Sequence, residues 1–299
     1  MNGFQPFTLT DKDKLQPFLR LYPDNETSEY TFSYFYMWRS MDDAQWLQEK
    51  DYLLLRLSTP GDKRFFMAMA PEAQLAEAME HAIAISREEG WPFTMNSLPE
   101  WYCELLAKHM PGRFDFTHEL HLDDYIYHIQ DLINLRGNRY HAKRNHRNRF
   151  DGVYGDRYAY LPYSSDMATA CLAIYESWFQ TQPEAELLRR ERDSVQLALA
   201  DFQALGLDGG VATVDGIPMA FTLGEQLTED MAVIHTEKAM PAIPELFTVI
   251  NRDFLSHTYP HLTWINREED MGDPGLRKAK RSYHPARMIA KYRITLKTK

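Results

Sequence analysis

The chain has 299 residues, enough for two domains of ordinary size. Hydrophobic residues make up 44% and aromatics 13%, a composition that excludes a disordered chain, and no apolar run approaches the roughly 18 residues of a membrane-spanning helix. A net charge of −10 excludes a general nucleic-acid coat protein, and the two cysteines, Cys103 and Cys171, form neither a CxxC pair nor a disulfide framework.

In chain order, Phe4–Thr8 reads as a short strand, and Thr10-Asp11 caps a predicted helix over Lys12–Leu21. The aromatic segment Tyr30–Trp38 is expected to be buried. Tyr52–Leu57 and Arg64–Ala70 read as paired strands around the turn Thr59-Pro60-Gly61-Asp62. Pro71 opens a helix that Gly90 closes, Phe93–Asn96 is a strand, Glu100–His109 a helix, and Phe114–Ile129 a hairpin-like extended stretch.

The second half repeats this order. Arg157–Pro162 reads as a strand, and Asp166–Phe179 and Pro183–Leu205 as helices. Gly210–Val214 and Met219–Leu223 form a predicted hairpin about Asp215-Gly216, with Met231–His235 as a third strand. Pro244–Ser256 is a helix and Leu262–Ile265 a final strand. The shared order of strand, helices, antiparallel strands, helix and strand predicts two similar α/β units.

Two zones carry concentrated positive charge on this acidic chain. Residues 136–149 hold Arg136, Arg139, Lys143, Arg144, Arg147 and Arg149 without one acid; residues 277–293 hold Arg277, Lys278, Lys280, Arg281, Arg287, Lys291 and Arg293, likewise without one. Such zones point to a particular anionic partner. Read as one helix, Leu132–Phe150 places Arg136, Tyr140, Lys143, Arg147 and Phe150 on a single face, although Gly137 weakens that helix.

The stretch from Trp264 to Pro285 combines three kinds of chemistry. An apolar strand stops at Asn266, Arg267, Glu268, Glu269 and Asp270; Gly272-Asp273-Pro274-Gly275 makes a tight turn; Arg277, Lys278, Lys280 and Arg281 follow. Carboxylates fixed opposite cations by a tight turn suit a charged substrate. No HExxH, paired CxxC or GxSxG pattern is present, and His141/His146 and His257/His261 read as polar-face histidines, so no metal is expected.

The motifs R-G-N-R-Y-H-A-K-R-N-H-R-N-R-F at Arg136–Phe150 and N-R-E-E-D-M-G-D-P-G-L-R-K-A-K-R-S-Y-H-P at Asn266–Pro285 resemble those of the phosphatidylglycerol lysyltransferase C-terminal-like family. That resemblance implies an α/β (α+β) fold of two tandem GNAT-like domains, each a mixed, largely antiparallel sheet flanked by helices. On this basis residues 1–130 and 151–299 are the expected domains, joined by a basic interdomain helix over 131–150. It also implies transfer of an aminoacyl group from a charged tRNA, or another anionic acyl donor, to a lipid or small-molecule acceptor. The membrane-spanning half of characterised relatives is missing from this sequence, and the N-terminus shows no signal pattern, so a cytoplasmic location is expected.

An acetyl-coenzyme A cradle of the form R/Q-x-x-G-x-G/A is not found at His235–Pro244, where two prolines remove amide donors, so no cofactor is expected. Ester aminolysis needs a proton acceptor and well-placed charge rather than a metal. The candidates for proton transfer are Glu237, Glu268, Asp270 and His235. Lys143, Arg144, Asn145, Asn266, Arg277, Lys280 and Tyr283 are the candidates for binding substrate, expected to line one interdomain cleft. With both cations turned to a ligand, Arg144→Glu and Arg277→Glu would weaken binding more than folding. Two other readings are a binding module without catalysis and a coenzyme A-dependent N-acyltransferase.

Overall fold

The computed structural model describes residues 3–40, 42–59, 63–182 and 186–297, which form two compact units: Met1–Asp124 with Ile289–Lys299, and Tyr125–Met288. Each unit carries one mixed seven-stranded sheet flanked by helices.

The first unit runs β1 (Gln5–Pro6), α1 (Lys12–Leu19), α2 (Phe32–Trp38), β2 (Gln45–Gln48), β3 (Leu53–Thr59), β4 (Lys63–Met69), α3 (Leu75–Glu88), β5 (Thr94–Pro99), α4 (Glu100–His109) and β6 (Phe114–His118). Helix α2 is buried on nearly every side, as its aromatic content requires. Strands β3 and β4 pair antiparallel; the expected turn at residues 60–62 lies outside the described residues.

The second unit, apart from Asp124 and Ile289 at the outer ends of its first and last strands, which belong to the first unit, contains β7 (Asp124–His128), α5 (Ile129–Asn134), α6 (His141–Tyr154), β8 (Tyr158–Pro162), α7 (Ala168–Phe179), α8 (Glu186–Ala200), α9 (Phe202–Leu205), β9 (Asp208–Val214), β10 (Ile217–Gln226), β11 (Met231–Ala239), α10 (Leu246–Thr258), β12 (Trp264–Asn266), α11 (Pro274–Arg281) and β13 (Arg287–Ile289). Its sheet order is β13-β7-β12-β11-β10-β9-β8, with β11 and β12 parallel and β8 to β11 antiparallel in turn. Asp215 and Gly216 both have positive φ, so the hairpin between β9 and β10 has the turn that Asp-Gly favours. The apolar stripe of α10, with Leu246, Val249, Ile250, Phe254 and Leu255 at three- and four-residue steps, packs on this sheet.

The final strand, β14 (Lys291–Leu296), departs from the expected limits. It sits in the first sheet between β5 and β6, so the chain returns to the unit in which it began. Lys291 is fully buried there, with its Nζ 2.7 Å from both Glu29 and Asp124 and within reach of Ser28. An ammonium with no access to water requires such partners. Strands β6 and β7 likewise enter different sheets rather than pairing as a hairpin.

The segment 132–150 is not one helix. Leu135 and Gly137 take positive φ, which ends α5 and starts a new turn before α6. Within α6, Arg147 pairs with Asp253 of α10 at 2.9 Å and Phe150 is buried against α10 and the sheet. This segment belongs to the second unit; of its expected face Tyr140 and Phe150 are buried, Lys143 and Arg147 half-buried and Arg136 exposed. Among the described residues no helix is long and apolar enough to cross a membrane.

Candidate active site

The register of β10 and β11 builds the centre of the site. Leu223 lies opposite Thr236 and Gly224 opposite Ile234, which leaves His235 as the extra residue of a β-bulge. A bulge redirects the side chain it inserts. Gly224 permits the close approach, because a Cβ on it would meet the Val233 carbonyl oxygen at 2.3 Å. The His235 ring is thereby enclosed, with Nε2 3.0 Å from Glu225 Oε1 and Nδ1 2.8 Å from Glu268 Oε1.

Both ring nitrogens face carboxylate oxygens, which accept but do not donate when ionised. The three groups must therefore hold two protons between them, either as an imidazolium between two carboxylates or as a neutral ring beside one protonated glutamate. Burial alone would favour the neutral imidazole, but the hydrogen bonds and charges of Glu225 and Glu268 outweigh it and raise the His235 pKa to about 10. Burial also raises the Glu268 pKa, against the opposing pull of His235. The three groups thus keep both protons at neutral pH.

Glu268 reaches the ring through an abrupt change of direction after β12. Its backbone N–H donates to Asn266 Oδ1 at 2.7 Å, and its φ is +57°. That conformation costs a non-glycine residue on the order of 1 kcal/mol and needs outside support. Lys280 supplies it: Nζ donates to the Arg267 carbonyl at 2.6 Å and to the Glu269 carbonyl, one on either side of Glu268. The Tyr125 N–H also donates to the Glu268 carbonyl at 3.2 Å.

A second cluster adjoins the first along the backbone. Arg267 donates from Nη2 to Glu237 at 3.0 Å, and Asn251 of α10 donates to the other Glu237 oxygen at 2.9 Å. The Arg267 guanidinium lies 4.7 Å from the Tyr283 ring centre, and Lys143 Nζ lies 3.6 Å from the same centre. Burial, then the Arg267 charge, lowers the Lys143 pKa to about 8 despite Glu237.

The other candidates are held by internal partners. Asp270 accepts two bonds from Arg277, one from the Tyr125 hydroxyl at 2.7 Å and one from the Gly272 N–H at 2.9 Å. The Arg277 bonds hold its pKa well below the carboxylate range, a poor property for a proton acceptor at neutral pH. Arg144 donates to the Leu135 and Gly137 carbonyls, satisfying the end of α5, and Asn145 meets His141 at 3.4 Å. Arg144 therefore ties down local backbone and Arg277 the Asp270 carboxylate, so reversing either charge is expected to cost stability as well as any binding.

Of the seven binding candidates, Lys143 and Tyr283 meet in the second cluster, and Asn266 and Lys280 shape the backbone around Glu268. All lie in the second unit. Sequence reasoning missed Glu225, the buried pair of Arg267 with Glu237, and Asn251. Glu225 had a signal: a carboxylate after glycine at the end of an otherwise apolar strand. Among the described residues no group of three or more His, Cys, Asp or Glu is arranged to hold a metal ion.

The family described as phosphatidylglycerol lysyltransferase, C-terminal, matches residues 22–295. A conserved protein of unknown function from Bacteroides thetaiotaomicron VPI-5482 is 33% identical, with a TM-score of 0.89 over 99% of this chain and 100% of that one. L-PGS from Bacillus licheniformis has a TM-score of 0.69 at 14% identity, covering 99% of this chain and 94% of that one. FemX has a TM-score of 0.57 at 7% identity, covering 97% and 96%. At such identities the last two show a common fold. No curated protein matches the chain in sequence.

Proposed function

We propose, from the premise that this chain belongs to the phosphatidylglycerol lysyltransferase C-terminal family, that its second unit transfers an aminoacyl group from a tRNA ester to an amine or hydroxyl acceptor. The observation that carries this reading is the hydrogen-bonded series Glu268, His235, Glu225, built on a bulge and closed from solvent at its centre. The family supports acyl transfer as the reaction class.

In this reading the acceptor nitrogen or oxygen attacks the ester carbonyl and forms a new C–N or C–O bond. Glu268, the partly exposed end of the series, takes the acceptor proton. When the tetrahedral adduct collapses, the ester C–O bond breaks and the proton passes to the departing ribose oxygen. Protons and electrons balance without a redox step. His235 and Glu225 are positioning residues: the imidazolium stabilises the ionised Glu268 before reaction, and Glu225 fixes the ring. Lys280 keeps the Glu268 backbone in its required turn.

Glu268→Gln tests the assignment. It should lower the transfer rate by about 10²- to 10⁴-fold, the usual contribution of a positioned base, with the donor KM little changed. Equal rates for the two proteins would remove Glu268 from the mechanism.

A further inference from the structure

We infer that Arg267 and Lys143 form a subsite for an oxyanion, a carboxylate or phosphate carried by one of the substrates. Arg267 Nη2 is used by Glu237, whereas Nη1 is shut off from water without a hydrogen-bond partner among the described residues. A buried guanidinium donor without an acceptor is costly, and an oxyanion beside it would satisfy it. Lys143 Nζ has the Tyr283 ring beneath it at 3.6 Å and no hydrogen bond or ion pair among the described residues. The cluster of Arg267, Lys143 and Glu237 therefore keeps one positive charge in excess in a largely buried place. Tyr283, whose ring and hydroxyl both interact with Arg267, and Asn251 are neutral and leave that charge uncompensated.

An oxyanion accepts from both cations at once, which no single solvent molecule does with equal charge. Lys143 is half-buried and carries its ammonium on a flexible stem, so it can shift to admit the ligand and then close on it. The subsite adjoins Glu268 through the chain itself, since Arg267 and Glu268 are consecutive. Its assignment to a substrate rests on the acyl-transfer reading; the presence of the oxyanion site does not.

The experiment is NMR of the full chain with ¹³C-dimethylated lysines, titrated with inorganic phosphate, with acetate and with sodium chloride at matched ionic strength. The Lys143 signal is assigned by its loss in Lys143→Met. A saturable shift of that signal with phosphate, acetate or both, and none with chloride, is expected; phosphate alone identifies a phosphate-type site and acetate alone a carboxylate-type site. Arg267→Gln should weaken the effect at least tenfold. Should that variant fail to fold, calorimetry of Lys143→Met, which keeps the Arg267–Glu237 pair, should show the same loss. Absence of any saturable response to either anion overturns the subsite. Glu268→Gln should bind the anion as the parent does, so failure of the catalytic assignment and failure of this one are read separately.

Discussion

Replacing Gly224 by alanine tests whether the bulge itself, rather than the mere presence of a histidine, builds the proposed relay. The new Cβ would stand 2.3 Å from the Val233 carbonyl oxygen, 3.3 Å from its carbon and 3.4 Å from Ile234 Cα, while real Cβ contacts below 3.0 Å are essentially unknown. All three are backbone atoms of the paired strand, so no rotamer change relieves the contact. Either β10 and β11 part locally or the bulge at His235 moves. Overpacking of this kind costs about 1–3 kcal/mol, offset in part by about 0.4–1 kcal/mol from the stiffer unfolded chain. The expected net loss is about 1–2 kcal/mol, read as a lower urea midpoint with an unchanged slope. Transfer per folded molecule should also fall at least tenfold, because His235 no longer meets both carboxylates. An unchanged midpoint together with an unchanged rate would refute the reasoning.

Lys291→Met removes the buried partner of Glu29 and Asp124 and should destabilise the first unit by about 3–5 kcal/mol in chemical denaturation. The Asp270 pKa is lower in the folded chain than in the unfolded one, so its contribution is complete above about pH 4 and is lost as pH falls further. Asp270→Asn should accordingly flatten the acid limb of a melting-temperature profile between about pH 4 and 2. Arg277→Glu, which sets a second carboxylate against Asp270, should lower the melting temperature at pH 7 clearly more than Lys278→Glu on the same helix. In ¹³C-dimethyl-lysine spectra, Lys143 should titrate near pH 8, well below the ordinary lysine range.

Local pattern made much of the fold legible. Glu100–His109 is a helix with the expected limits, and Asp215-Gly216 marks a real hairpin. Long-range partners were not legible. Nothing near Lys291 in sequence indicates that Glu29 and Asp124 enclose it, because those carboxylates lie on segments more than a hundred residues away. The same limit explains the cations: Arg277 and Lys280 look available for a ligand until the folded chain sets Asp270 and the carbonyls of Arg267 and Glu269 beside them. Glu268 and His235 stood out as polar groups at the ends of apolar runs. Their connection through a bulge, and onward to Glu225, depends on strand register and could not be read from spacing.

The most direct test of aminoacyl transfer uses total bacterial tRNA charged with the full set of amino acids. It is mixed with the purified protein and with small-molecule and lipid extracts of the source cells. Mass spectrometry then follows each aminoacyl-tRNA and searches the extracts for the matching aminoacylated product. The account predicts that at least one aminoacyl-tRNA is consumed well above its spontaneous hydrolysis, with a product of the corresponding mass, and that Glu268→Gln abolishes both signals. Every aminoacyl-tRNA decaying at its spontaneous rate, with no new product in either extract, would contradict it.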